Sequence, residues 1–193
     1  SNEEVIYKEE KGYLWHIKYP IKGENKHLIV ATTRPETMLG DTGVAVNPND
    51  KRYKKYVGKS ILLPIVNKEI PIFTDAYVDM EFGTGCVKVT PAHDMNDYDM
   101  AQRNNLEIIN IMNDDASFNE NVPKQYHNKD RYKVRTMVLE QLEKGDYLLK
   151  TEDYIHKVGH SERTDAIIEP RLSKQWFLKM KDLAKPALKV VKD

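Results

Sequence analysis

The sequence predicts a mixed α/β fold, a closed or strongly curved, barrel-like sheet with helices at its periphery. Segments with two-residue alternation or short β-branched runs outnumber segments with helical period. The strands come in irregular order with short connections, rather than as regular βαβ units. The chain has 193 residues, 40% of them hydrophobic, enough for one sizeable core, alone or with an appendage.

The first strand is read over residues 13–19, where Tyr13, Trp15, Ile17 and Tyr19 alternate with Leu14, His16 and Lys18. Residues 27–33, HLIVATT, form a short apolar run typical of a buried strand. Pro35 then starts a helical turn, where its missing N–H costs nothing. Residues 42–47 read as a strand, 48–56 as a short basic helix, and 60–66 and 69–73 as strands around an Asn67-Lys68 turn. Residues 96–104 predict a helix and 106–112 a strand. The clearest helix is 130–144, with near-helical apolar spacing and Gly145 as its stop. Residues 147–158 predict a long strand. The pattern changes after that, and the lysine-rich end has few clear periods. A boundary is therefore drawn near Gly159, dividing a main domain at 1–159 from a final segment at 160–193.

Composition narrows the function. With 30 basic and 30 acidic side chains the formal net charge is zero, so any nucleic-acid contact must come from local patches. Cys86 is the single cysteine. That excludes an intrachain disulfide and a multi-cysteine zinc site, and it suits a reducing compartment such as the cytoplasm. No apolar run approaches the ~20 residues of a membrane span. The polar N-terminus does not read as a signal peptide. No histidine spacing indicates a metal site, so neither a metal nor a cofactor is expected.

Two stretches carry chemistry. In residues 82–99, FGTGCVKVTPAHDMNDYD, Cys86, Lys88 and Thr90 share one strand face. His93, Asp94, Asp97 and Asp99 follow within a few residues. Asp94 and Asp97 fit a helix start as cap and dipole partner, and they equally fit a rigid pocket wall that holds an ammonium group. Lys88 is either a solvated strand lysine or a contact to phosphate or ribose. His93 suits acid–base work or a structural hydrogen bond. No Ser or Cys has a base at local spacing, so a covalent triad is not indicated. In residues 32–37, TTRPET, two hydroxyls and Arg34 leave a strand at a helical turn. Such a turn can hold an anion, and Arg34 can grip one bidentately. The basic cluster at 51–55 reads as a solvated face or as a nucleic-acid contact.

Together, ATTRPETMLGDTGVAVNP at 31–48 and FGTGCVKVTPAHDMND at 82–97 resemble the two signature regions of the editing (connective peptide 1) domain of class I aminoacyl-tRNA synthetases. This is the insertion shared by the valyl, isoleucyl and leucyl enzymes, and the combination points to the valyl branch. The resemblance covers about residues 7–180. VGHSERTDAIIEPRLSKQWF at 158–177 resembles the return path toward the synthetic site. The chain departs from the pattern at Cys86, where Ala is common, and at Met95, where Pro is frequent. The zinc-binding version of the return segment and the amino-acid-activating HIGH and KMSKS signatures are absent, so the resemblance implies no activation of amino acids by this segment.

The resemblance implies hydrolysis of a mischarged threonyl ester at the 3′ CCA end of tRNA(Val), by a positioned water and without a covalent intermediate. Threonine is nearly isosteric with valine, and for the valyl enzymes a hydrophobic pocket is known to reject it only about a hundredfold. A second, hydroxyl-selecting site is therefore needed. By the same resemblance Asp97 pins the α-ammonium, and Thr90 and Asp94 hold the threonine hydroxyl or order the water. Lys88 and Phe82 line the pocket near the terminal adenosine. Thr33, Arg34 and Glu36 position that adenosine, and His93 belongs to the substrate-binding set. The implied partners are the tRNA(Val) CCA end, the misattached threonine and the rest of a synthetase chain, with no membrane and a monomeric state. The alternatives are a leucyl- or isoleucyl-type editing domain and a catalytically silent tRNA-docking module.

Overall fold

Strand β1, Val5–Pro20, is the spine of the molecule. The structure, a computed structural model, describes residues 4–172, 176 and 178–192. β1 pairs antiparallel with β7, Leu148–Ser161, from Val5 opposite Ser161 to Ile17 opposite Leu148, with an irregularity between His16 and Ile17. Its second half also pairs antiparallel with β2, His27–Thr32. Half of β1 therefore stands with β7 in a two-stranded ribbon and half enters the core. The side chains follow this division. Residues 7–9 are exposed, whereas Trp15, Ile17 and Tyr19 are buried. The strand begins eight residues before the predicted one because YKEEKG is polar on both faces and carries no core-facing signal. Gly12 is a close-approach position in the ribbon, where a Cβ would meet His156 Cε1 at 2.7 Å.

The second sheet has the order β4-β5-β3-β6. It is formed by β3 (Gly43–Val46), β4 (Ser60–Leu62), β5 (Glu69–Thr74) and β6 (Cys86–Val89). β3 pairs parallel with β5 and antiparallel with β6. All four β3 residues are buried, as a continuous apolar run predicts for a central strand. A bridge between Ile21 and Ile61 links the two sheets. The mixed, curved arrangement is the one predicted, with its hydrogen bonding divided between two sheets rather than closed into one ring. Tyr19, Leu28, Val30, Met38, Val44, Ile61 and Ile72 fill the space between the sheets. Each such side chain contributes about 1.5–3 kcal/mol on burial.

Helix α2, Arg131–Lys144, buries Val134, Val138 and Leu142 against this core. Asp130 caps it by accepting from Tyr132 N and Lys133 N, and Gly145 ends it. Helix α1, Met95–Asn104, follows β6 directly and buries Met100 and Ala101. Helix α3, Met180–Lys192, exposes Leu183 and Leu188.

Two predicted elements differ. Residues 106–112 are not a strand. Apart from a single bridge between Met112 and Phe118 and a few turn bonds, side chains serve their backbone, with Ile111 N donating to His93 Nε2 and Asn119 and Asn121 Nδ2 donating to Asn110 O. The basic helix at 48–56 shrinks to a 3-10 turn at Lys54–Tyr56. Asn47 and Asp50 side chains accept from Asn49 N and Arg52 N there, which satisfies the backbone in turns rather than in a helix. β7 runs through Gly159 to Ser161, and the chain then doubles back, with Ile168 N donating to Gly159 O. Of the predicted return segment, residues 173–175, 177 and 193 lie outside the described ones.

Candidate active site

The junction between β6 and α1 is a tight turn tied by two carboxylates of the helix start. Asp94 is the N-cap of α1 and accepts from Asn96 N at 2.8 Å and Asp97 N at 3.1 Å. Asp97, three residues on, reaches out of the helix, and its Oδ2 accepts from Thr90 N at 2.8 Å. The helix start is thereby pinned to the end of β6. Asp94→Ala is expected to cost about 1 kcal/mol of stability, measured by urea unfolding, with Asp94→Asn costing clearly less.

This junction forms one wall of a cavity of about 370 Å³. The wall at the end of β2 is Thr32, Thr33 and Arg34; Phe82 and Gly83 form the rim; Tyr154, His156 and Lys157 of the ribbon close a third side. Phe82 is exposed, so its ring is free to stack on a ligand. Thr33, Arg34, Phe82, Lys88, Thr90, His93, Asp94 and Asp97 all line this space, so the structure brings together most of the predicted site.

Glu36 is the exception. It is fully buried and turned away from the cavity, where it forms a bidentate pair with Arg135 of α2, with Nε–Oε2 and Nη2–Oε1 both 2.7 Å. It therefore does not line the cavity with the other residues that the resemblance assigns to the substrate. Its carboxylate has a nearer and stronger partner, and it serves the site by holding the 33–37 turn against the helix. Arg34 is also largely committed, since Nη1 donates to His93 O at 3.0 Å and Nη2 pairs with Glu169. Glu169 also meets Arg131 Nη1 at 3.5 Å.

His93 has no free ring nitrogen. Nε2 accepts from Ile111 N at 3.1 Å, which places the proton on Nδ1, 3.2 Å from Pro170 O. Burial, reinforced by the Arg34 charge, pushes its pKa down to about 4. A neutral imidazole with both nitrogens occupied is a structural tie rather than a proton shuttle. Cys86 also lines the cavity, but burial pushes its thiol up to about 11, so it supplies no thiolate at neutral pH.

Asp97 is different. It is 8% exposed, and burial raises its pKa to about 7 against the pull of Lys88, while Asp94 and Asp41 push it in the same direction as burial. The nearby ammonium of Lys88 is engaged elsewhere, with Nζ 2.9 Å from Asp41 Oδ1 and 2.5 Å from Thr90 Oγ1. The cavity thus holds an acid with an incompletely compensated charge, which favours a ligand that brings a cation.

Sequence reasoning missed Asp41 and Tyr19 beneath the cavity. Thr90 Oγ1 donates to Asp41 Oδ1 at 2.6 Å and Tyr19 OH donates to Asp41 Oδ2 at 2.7 Å. A carboxylate inside the apolar stretch 38–46, with no local partner, is the signal that marks Asp41. Among the described residues, no group of three or more His, Cys, Asp or Glu is placed to hold a metal ion. No helix of the described residues is long and apolar enough to cross a membrane.

Comparison with known proteins follows this geometry. The family model described as "Leucyl-tRNA synthetase, editing domain" matches residues 51–153, which includes the β6–α1 junction. Valine--tRNA ligase from Thermotoga maritima is 55% identical over 193 residues, 100% of this chain and 22% of that one. Its counterpart from Christiangramia forsetii is 56% identical over 191 residues, 99% of this chain and again 22% of the other. The chain thus spans about a fifth of the length of these relatives. Among solved structures, a ternary complex of Agrobacterium radiobacter K84 agnB2 LeuRS with tRNA and LeuAMS shares the fold. Its TM-score is 0.57 at 15% identity, covering 78% of this chain and 20% of that one.

Proposed function

The chain belongs to the leucyl-tRNA synthetase editing-domain family, on its valine--tRNA ligase branch, and from that premise we propose that it hydrolyses threonyl-tRNA(Val). The observation that carries this reading is Asp97, a buried acid on the cavity wall whose pKa of about 7 marks a site that gains from a cationic ligand. The α-ammonium of an aminoacyl ester supplies that cation. The identity to valine--tRNA ligases favours the valyl branch over the leucyl and isoleucyl alternatives.

In this mechanism Asp97 anchors the ammonium, and the carbonyl of the ester lies above the β6–α1 turn. A water adds to the carbonyl carbon, the bond to the ribose oxygen breaks, and the ribose hydroxyl leaves with a proton. An aminoacyl ester is intrinsically reactive, so orientation of water and ester supplies most of what is needed. Two of the three N–H donors of Lys88 go to Asp41 and Thr90, which leaves one for substrate or water. Phe82 at the rim offers a face to the terminal adenine, and single-stranded ends are commonly bound by such stacking. Arg34 and Thr33 line the side on which the ribose enters. The partners in this reading are the CCA end of tRNA(Val), the misattached threonine and the remainder of a ligase chain, acting as a monomer in the cytoplasm.

The test is deacylation of threonyl-tRNA(Val) beside valyl-tRNA(Val). Selective clearance of the threonyl ester is expected. Tight tRNA binding with neither ester cleared would leave the docking module as the correct reading.

A further inference from the structure

We propose that Asp41 is a positioning residue that makes the pocket select a hydroxyl, by fixing Thr90 as a hydrogen-bond acceptor and by keeping Lys88 away from Asp97. The inference rests on the editing reading above and assigns a role to a residue that does not line the cavity. Asp41 is 1% exposed and sits beneath the floor. Its Oδ1 accepts from Thr90 Oγ1 at 2.6 Å and from Lys88 Nζ at 2.9 Å, and its Oδ2 accepts from Tyr19 OH at 2.7 Å. All three neighbours are donors and favour the ionised carboxylate, against a burial that pushes its pKa up; we infer the ionised form from this three-donor geometry.

The consequence for Thr90 is directional. A hydroxyl has one proton and two lone pairs. The proton is committed to Asp41, and one lone pair receives Lys88 Nζ at 2.5 Å. What Thr90 offers the cavity is a single acceptor. A ligand hydroxyl satisfies it by donating. A methyl group in the same place leaves that second lone pair unfilled and forfeits one hydrogen bond, worth about 0.5–1.5 kcal/mol. The discrimination between threonine and valine, two side chains of nearly equal shape, is therefore written into the orientation of one O–H bond.

The consequence for Lys88 is electrostatic. The groups acting on Asp97 are Lys88 from β6, Asp94 from its own helix start, and Asp41 from the turn before β3. With Asp41 ionised, the Lys88 charge is largely neutralised, and Asp97 keeps its field for the incoming ammonium. With Asp41 neutral, Lys88 is released toward Asp97 and competes with the substrate. A single buried carboxylate thus serves both halves of recognition, hydroxyl and ammonium.

Asp41→Asn preserves shape and removes the charge. In the full-length ligase that carries this chain, its kcat/KM for threonyl-tRNA(Val) is expected to fall about tenfold or more. The threonyl-to-valyl selectivity ratio should fall with it, and the acid limb of kcat/KM should move to lower pH because Asp97 gains Lys88. Tyr19→Phe removes a single hydroxyl from the same carboxylate and should shift both readouts in the same direction by less. A purely structural role would lower activity without moving the ratio or the limb. Parent-like ratio and limb in both variants overturn the inference while leaving the editing reading intact. If melting shows that Asp41→Asn does not fold, Tyr19→Phe decides by the same two readouts. A parent that clears no threonyl ester removes the editing reading and this inference together.

Discussion

Asp97→Asn should remove threonyl-tRNA clearance and, at neutral pH, make the protein more stable. The functional loss follows from deleting the charge that faces the substrate ammonium. Truncating one member of a buried charge pair costs about 2–5 kcal/mol, roughly thirtyfold to several-thousandfold in kcat/KM. The gain in stability follows from the same burial. The folded pKa of about 7 lies above the ordinary 3.8, so the folded state holds a proton that the unfolded state releases. That contribution is fully present below the unfolded pKa and is lost as pH rises through the folded one. Above pH ~7 the ionised carboxylate therefore costs the fold of order 1–3 kcal/mol, which the amide avoids. His93 has the opposite sign, since its pKa of about 4 lies below the ordinary 6.5. Its contribution is present above the unfolded value and is lost as pH falls through the folded one. The two windows overlap and offset each other in the parent. Asp97→Asn should expose the His93 slope, with stability falling more steeply on acidification and the two melting curves converging at acid pH. Thermal melts across pH beside deacylation assays check both parts. A variant no more stable than its parent at neutral pH would show that Asp97 is not held against its solvation.

Glu36→Gln is expected to be the most damaging conservative change in the first motif, and to act on the fold rather than on the ligand. Glu36 is fully buried and meets Arg135 through two bonds of 2.7 Å. Removing one partner of a buried pair leaves an uncompensated charge, at about 3–5 kcal/mol. Arg135→Met should cost a comparable amount, but the double variant Glu36→Met with Arg135→Met should recover most of the loss. Urea unfolding of the four proteins completes the cycle. Below its lowered melting temperature, Glu36→Gln should still clear threonyl-tRNA, because Glu36 does not line the cavity. A loss of clearance with parent-like stability would instead assign Glu36 to substrate binding.

The parts of the site that were legible in sequence are those whose partners are close in the chain. Asp94 was readable as a cap because its backbone donors lie two and three residues on. Lys88 and Thr90 shared a face because β6 alternates. Asp97, seven residues from Thr90, fell within the same turn. What was not legible depends on long-range pairing. Asp41 meets Lys88 across 47 positions and Glu36 meets Arg135 across 99, so a carboxylate in an apolar stretch marks Asp41 as unusual, but neither local composition nor periodicity names the partner of either residue. The segment at 106–112 is apolar like a strand, but it makes only an isolated bridge from Met112 to Phe118, and a histidine and two asparagines from other loops serve much of its backbone. The early half of β1 was missed for the opposite reason, since a ribbon held by β7 needs no apolar face.

That ribbon also brings two distant parts of the chain together. Val5 lies opposite Ser161, so the two strand ends stand side by side, about 5 Å apart, and the chain beyond Ser161 folds back along the domain. The unit behaves as a pendant on a flat stem. Tyr154, His156 and Lys157 of that stem also line the cavity, so bending the stem reshapes one side of the cavity rather than carrying it along unchanged.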